Sequence, residues 1–116
     1  MDATIYTMVR AADWRQAEAA GEYRGSADDR RDGFLHFSAA GQLRASAAKH
    51  RAGEADLLLV AVEAAALGAA LAWEPAGSRP GLFPHLYGAL PMAAVAGVTA
   101  LPLGPDGLHR FPAEIP

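Results

Sequence analysis

Apolar positions in this chain come in short runs separated by polar, glycine-rich or proline-rich breaks, a pattern of short strands and modest helices. Residues 4–9, Thr-Ile-Tyr-Thr-Met-Val, are rich in β-branched and aromatic side chains and predict a first strand. Asp13 is then placed to cap a helix over residues 14–20, and Gly21 supplies the left-handed residue that ends it. Residues 22–33 are polar and basic with two glycines, which predicts a loop long enough to serve a function. A second strand is predicted over 34–37, with Ser38 as the N-cap of a helix running from 39 to about 51. Leu43, Ala47 and His50 recur on one side of that helix, and Gly53 stops it.

The uninterrupted apolar run at 57–62 reads as a strand buried on both faces and hence central in a sheet. Residues 63–67 fit a single helical turn, and 71–74 a short strand. Three prolines and two glycines make 75–84 a loop, with a short strand or turn over 85–90 and a final strand over 94–101. The expected class is α+β, with a mixed, mostly antiparallel sheet of about five or six short strands and two main helices. One domain is expected over residues 1–116, with its core at about 4–101 and a proline-rich C-terminal tail at 102–116.

Composition narrows the chemistry. The chain is 52% apolar and 20% charged, which is globular rather than disordered, although much of the apolar fraction is alanine. It has no cysteine, which excludes disulfides, thiolate nucleophiles and thiolate zinc sites. The start, Met1-Asp2-Ala3-Thr4, lacks the basic and apolar parts of a signal peptide. The longest apolar stretch, 57–71, is broken by Glu63 and falls short of the roughly 18 residues of a membrane span. A cytoplasmic protein without a membrane partner is expected. The net charge of −3 makes non-specific binding to DNA or RNA unexpected, though Arg30 and Arg31, with Arg24 nearby, could form a local anion site or an ordinary solvated loop.

The candidate chemistry centres on two histidines. His36 stands within the apolar strand Phe34-Leu35-His36-Phe37, just before Ser38 and a helix start. Strand alternation puts Phe34, His36 and Ser38 on one face, near helix N–H groups that suit an anion. His85 stands in Phe83-Pro84-His85-Leu86-Tyr87-Gly88, where His85 and Tyr87 share a face able to bind sugar or phosphate oxygens. Each histidine can equally be read as a packed residue satisfied by its surroundings. Tyr6 can stack on or hydrogen-bond a ligand, Glu74 is a candidate base, Trp14 reads as a core anchor, and His50 and His109 carry no assigned role. No His-x-His or His-Glu-x-x-His spacing supports a metal, and no Gly-x-Ser-x-Gly elbow supports a hydrolase triad.

These residues together carry a resemblance. Ile5-Tyr6, Trp14, Ala17, Gly21, Tyr23, Ser26, the string from Asp32 to Ser38, and Gln42 form its first part. Leu58, Leu59, Leu71, Trp73-Glu74 and the string from Phe83 to Gly88 form its second. In these the chain resembles the small bacterial family labelled domain of unknown function 952. That family is similar in layout to the ADP-ribosyltransferase-like fold, which includes the RNA 2′-phosphotransferases and has a cleft for NAD or an ADP-ribose moiety. The resemblance implies His36 and His85 as catalytic residues and Tyr6, Ser38, Tyr87, Arg24 and Arg30 as ligand-binding ones, with NAD or an ADP-ribose derivative as cofactor. The first strand departs from that superfamily's pattern: Thr7 follows Tyr6, and the usual histidine is absent. No glutamate stands at a clearly matching late position.

Three functional readings follow. The first is a cleft for a nucleotide or ADP-ribose-type ligand, with ADP-ribosyl or related transfer as its activity. The second is a non-catalytic module that binds a small phosphorylated metabolite. The third is a structural or interaction domain whose histidines are packed.

Overall fold

The structure, a computed structural model, describes residues 3–116. Met1 and Asp2, part of the start inspected for a signal segment, lie outside the described residues. The first strand, β1 (Thr4–Arg10), leads directly into helix α1 (Ala11–Ala20), which ends at Gly21 with φ 87°. Then come β2 (Glu22–Tyr23), α2 (Ala27–Asp32), β3 (Leu35–His36), β4 (Ser38–Ala39) and α3 (Ala40–His50). The second half holds β5 (Leu57–Glu63), a 3₁₀ stretch (Ala64–Ala70), β6 (Leu71–Glu74), β7 (Phe83–Leu86), β8 (Leu90–Pro91) and β9 (Val95–Leu101).

The strands make three sheets, ordered β4-β1-β5-β9, β3-β7-β6 and β2-β8, and every pairing is antiparallel. β5 is central because both of its faces are covered. Val60 and Val62 pack with Ile5, Val9, Trp14 and Phe37 on one side, where α1 and the small sheets lie. Leu57 and Leu59 pack with Met8, Leu43, Ala47 and Ile115 on the other, beneath α3 and the C-terminal segment. Strand alternation sends consecutive side chains to opposite cores, so the run must be apolar throughout. Trp14, 2% exposed, anchors the first core, as its place in the sequence suggested.

The α+β class holds, but among the described residues the element count rises to nine strands and three α-helices. Residues 22–33 are not a loop: they contain β2 and the six-residue helix α2. The strand expected over 34–37 breaks at Phe37, so that β3 pairs with β7 in one sheet while β4 pairs with β1 in another. Phe37 bridges the two by donating its N–H to the Pro84 carbonyl at 3.0 Å. Asp13 is not a cap, since α1 begins at Ala11, but it lies in the first turn, where the helix dipole favours an anion. Ser38 does not cap α3 either; the Gln42 side chain accepts the Ala39 N–H at 2.9 Å instead. Residues 102–116 fold back on the protein. Leu103 bridges to His109, Arg44 donates to the carbonyls of Ile115 and Pro116, and Ile115 is buried. Among the described residues no helix is long and apolar enough to cross a membrane.

Candidate functional site

The site grows from the turn at Ser26. Its hydroxyl accepts the Asp29 N–H at 3.2 Å, and Asp29 Oδ2 accepts the Ser26 N–H at 2.8 Å, a reciprocal cap that starts α2. Gly25 is needed just before it: its φ is +99°, and a Cβ there would lie 2.7 Å from the Asp29 Cβ. The other oxygen, Asp29 Oδ1, accepts the His36 N–H at 3.1 Å and meets His36 Nδ1 at 2.5 Å. The second ring nitrogen, Nε2, lies 2.9 Å from Asp32 Oδ2 at the end of α2. Both nitrogens of His36 are therefore engaged by carboxylates. The bond to Asp29, aided by both negative charges, raises the His36 pKa above its ordinary value against the opposing effect of burial. Burial pushes the Asp29 carboxyl up, but its bonds from His36 and Ser26 outweigh this and hold it below the usual range.

Across the small sheet, His36 stands in register with His85 of β7, their ring centroids 5.6 Å apart. β7 is buried along its whole length because β3 and β6 flank it. His85 is only 3% exposed, and the Phe34 ring stacks on it at 4.1 Å. Its Nδ1 lies 2.9 Å from Glu74 Oε1, and Tyr87 donates its hydroxyl to the same oxygen at 2.7 Å. The bonds from Tyr87 and His85 hold the Glu74 carboxyl below its ordinary pKa, so it is ionised near neutral pH. No protein group among the described residues bonds His85 Nε2, and that atom is not sealed from solvent.

A third group comes from the end of α3 and the loop between β6 and β7. Ser38 Oγ and Ser46 Oγ are 2.8 Å apart, and Arg79 donates to Ser46 at 3.1 Å while its guanidinium lies 4.2 Å over the Phe83 ring. Gln42 ties this loop to α3 by donating to the Leu82 carbonyl at 2.7 Å. Lys49 and His50 close the helix. Burial and then the positive charges of Arg79, Lys49, His36 and Arg51 depress the His50 pKa.

Residues from all three groups line one open cleft of about 430 Å³. It brings together four of the residues singled out in the sequence: Tyr6, His36, Ser38 and His85. Tyr87 is not on its wall; it stands behind His85, on Glu74. Arg24 and Arg30 line a separate hollow beside Tyr23 and Asp13, and Arg24 pairs with Glu22 at 2.6 Å. Sequence reasoning missed Asp29, Asp32, Ser46, Lys49, His50 and Arg79. The Ser26-x-x-Asp29 spacing was a readable cap signal, but nothing local marks Arg79 as a partner of Ser46. Among the described residues, no group of three or more His, Asp or Glu side chains is placed to hold a metal ion.

The molecule is thus a small α+β protein with an open cleft between a two-histidine sheet and a cationic helix end. The family described as protein of unknown function (DUF952) matches residues 8–98, and the chain belongs to it. Among solved structures, the crystal structure of protein CC0527 from Caulobacter crescentus is 42% identical over 92% of this chain and 93% of that one, with a TM-score of 0.88. The solution NMR structure of the same protein is 43% identical over 90% of each chain, with a TM-score of 0.81. None of the curated proteins matches the chain.

Proposed function

We propose that the cleft binds a phosphorylated small molecule of the nucleotide or ADP-ribose type, the ligand class implied by the likeness to ADP-ribosyltransferase-like proteins. The observation that carries this reading is an imbalance between the two walls. Each carboxylate on the α2 wall has a cationic neighbour: Asp28 has Arg31, Asp29 has His36, and Asp32 has both. On the opposite wall Arg79, Lys49 and His50 gather with no carboxylate partner among the described residues. Their mutual repulsion costs free energy that an anion offsets, and the planar guanidinium beside two hydroxyls suits phosphate oxygens. In this reading Arg79 and Lys49 take the place expected of Arg24 and Arg30. His36, with both nitrogens engaged, positions the wall and contributes charge rather than gripping the ligand. Tyr6 and Phe34 offer rings against which a base or sugar can rest.

Calorimetric titration with ADP-ribose, NAD and inorganic phosphate tests the reading. The expected result is binding that weakens with salt and falls about tenfold in Arg79→Ala, the size of one charged hydrogen bond. Proton uptake on binding is also expected, because an anion relieves the field that depresses His50. If none of the three ligands binds the wild type, the reading fails. Release of nicotinamide from NAD would mark a transferase or hydrolase. Binding without release would mark a metabolite-binding module.

A further inference from the structure

The Glu74–His85 pair sets which way the second ring nitrogen of His85, a residue of the cleft wall, can bond. Glu74 is a carboxylate and accepts at Nδ1, so in the neutral ring the proton sits on Nδ1 and Nε2 is left as a bare acceptor. Tyr87 fixes the arrangement by donating to the same Glu74 oxygen, and the Phe34 ring holds the imidazole plane. In that neutral form Nε2 gains nothing from a phosphate oxygen, which is also an acceptor. It calls for an O–H or N–H donor. His36, on the same rung, offers no substitute because both its nitrogens already face carboxylates.

We infer that His85 Nε2 accepts a hydroxyl of the ligand, and that the cleft therefore selects phosphate esters carrying a free hydroxyl over equally sized esters that lack one. The inference rests on the reading of the cleft as a phosphate site and adds a second point of recognition to it. Arg79, Lys49 and the two serines take the phosphate, while His85, oriented by Glu74, takes the hydroxyl. Glu74 is a positioning residue: it reaches the ligand only through the tautomer it imposes.

The test uses the whole protein and two esters, ribose 5-phosphate and tetrahydrofurfuryl phosphate, which share a ring and a phosphate but differ in hydroxyls. Inorganic phosphate is the control. Wild type is expected to bind the ribose ester about five- to tenfold more tightly, the worth of one net hydrogen bond. In Glu74→Gln that preference should shrink toward equality, while affinity for inorganic phosphate is retained. Equal binding of the two esters by wild type, with phosphate binding intact, overturns the hydroxyl site and leaves the phosphate reading standing. Failure of all three to bind overturns both. A ligand-free check is the ring ¹⁵N–¹H correlation spectrum of His85 at about pH 8, above the ordinary imidazole range. The Nδ1–H tautomer is expected, and an Nε2–H tautomer overturns the inference.

Discussion

His36 and His85 occupy one rung of the same small sheet, but the two walls that hold them are built for opposite ends. The α2 wall spends a buried carboxylate, a helix cap and a second aspartate on closing both nitrogens of His36. The β6–β7 wall places a single, partly exposed glutamate behind His85 and leaves the forward nitrogen unbonded. A histidine in a cleft is therefore not itself the sign of a working group. What matters is what its second nitrogen meets. The first wall is structural, whereas the second leaves an acceptor available to a ligand.

The sharpest way to break this contrast is to remove Asp29. Asp29→Ala deletes the acceptor for the Ser26 N–H, the His36 N–H and the His36 ring, and it leaves the imidazole without its main partner. A stability loss of about 3 kcal/mol is expected in urea denaturation, against little change for Glu74→Ala. Comparable losses in the two variants would erase the difference between the walls.

A smaller effect is expected from pH. His36 titrates above the ordinary 6.5, so its contribution is complete below that value and is lost as pH rises through the higher folded-state value. Asp29 titrates below the ordinary 3.8, so its contribution is complete above that value and is lost as pH falls through the lower folded-state value. The pair thus stabilises most between 3.8 and 6.5. Urea midpoints measured across this window should fall on its alkaline side in wild type, and that limb should flatten in His36→Gln.

The least effect is expected from Asp32→Asn. It removes an exposed negative charge facing the cleft and loosens Nε2 of His36. Affinity for inorganic phosphate should rise about two- to threefold, with the urea midpoint almost unmoved. A fall in affinity would mean that Asp32 itself holds the ligand.

What could be read from the sequence was whatever had a local cause. The apolar runs became β1 and β5 because strands covered on both faces demand such runs, β9 formed from a similar run at the sheet edge although residues 96–100 stay exposed, and Gly21 ended α1 because only glycine sits easily at its φ of 87°. α2 was hidden because Ala27 followed by five charged residues has no hydrophobic period; its signature was the cap alone, with aspartate in place of the commoner glutamate. The break at Phe37 was hidden because alternation continues through it while the pairing partner changes. His36, Ser38, His85 and Tyr6 fall in one cleft because short strands carry them to one place. Arg79 joins them through a loop contact with Ser46, 33 positions away, which no local pattern encodes.

The bonds of Asp29 have a bearing on how this family can change. One oxygen serves both the backbone and the ring of His36, and the other starts the helix that delivers Asp32. Losing His36 alone strands a buried carboxylate, and losing Asp29 alone removes the helix cap and the main partner of the imidazole, so either single step is disfavoured. Positions 25, 26, 29 and 36 then form one heritable block, expected to persist or disappear together among relatives. Position 74 can drift separately, and with it the choice of ligand, without putting the fold at risk.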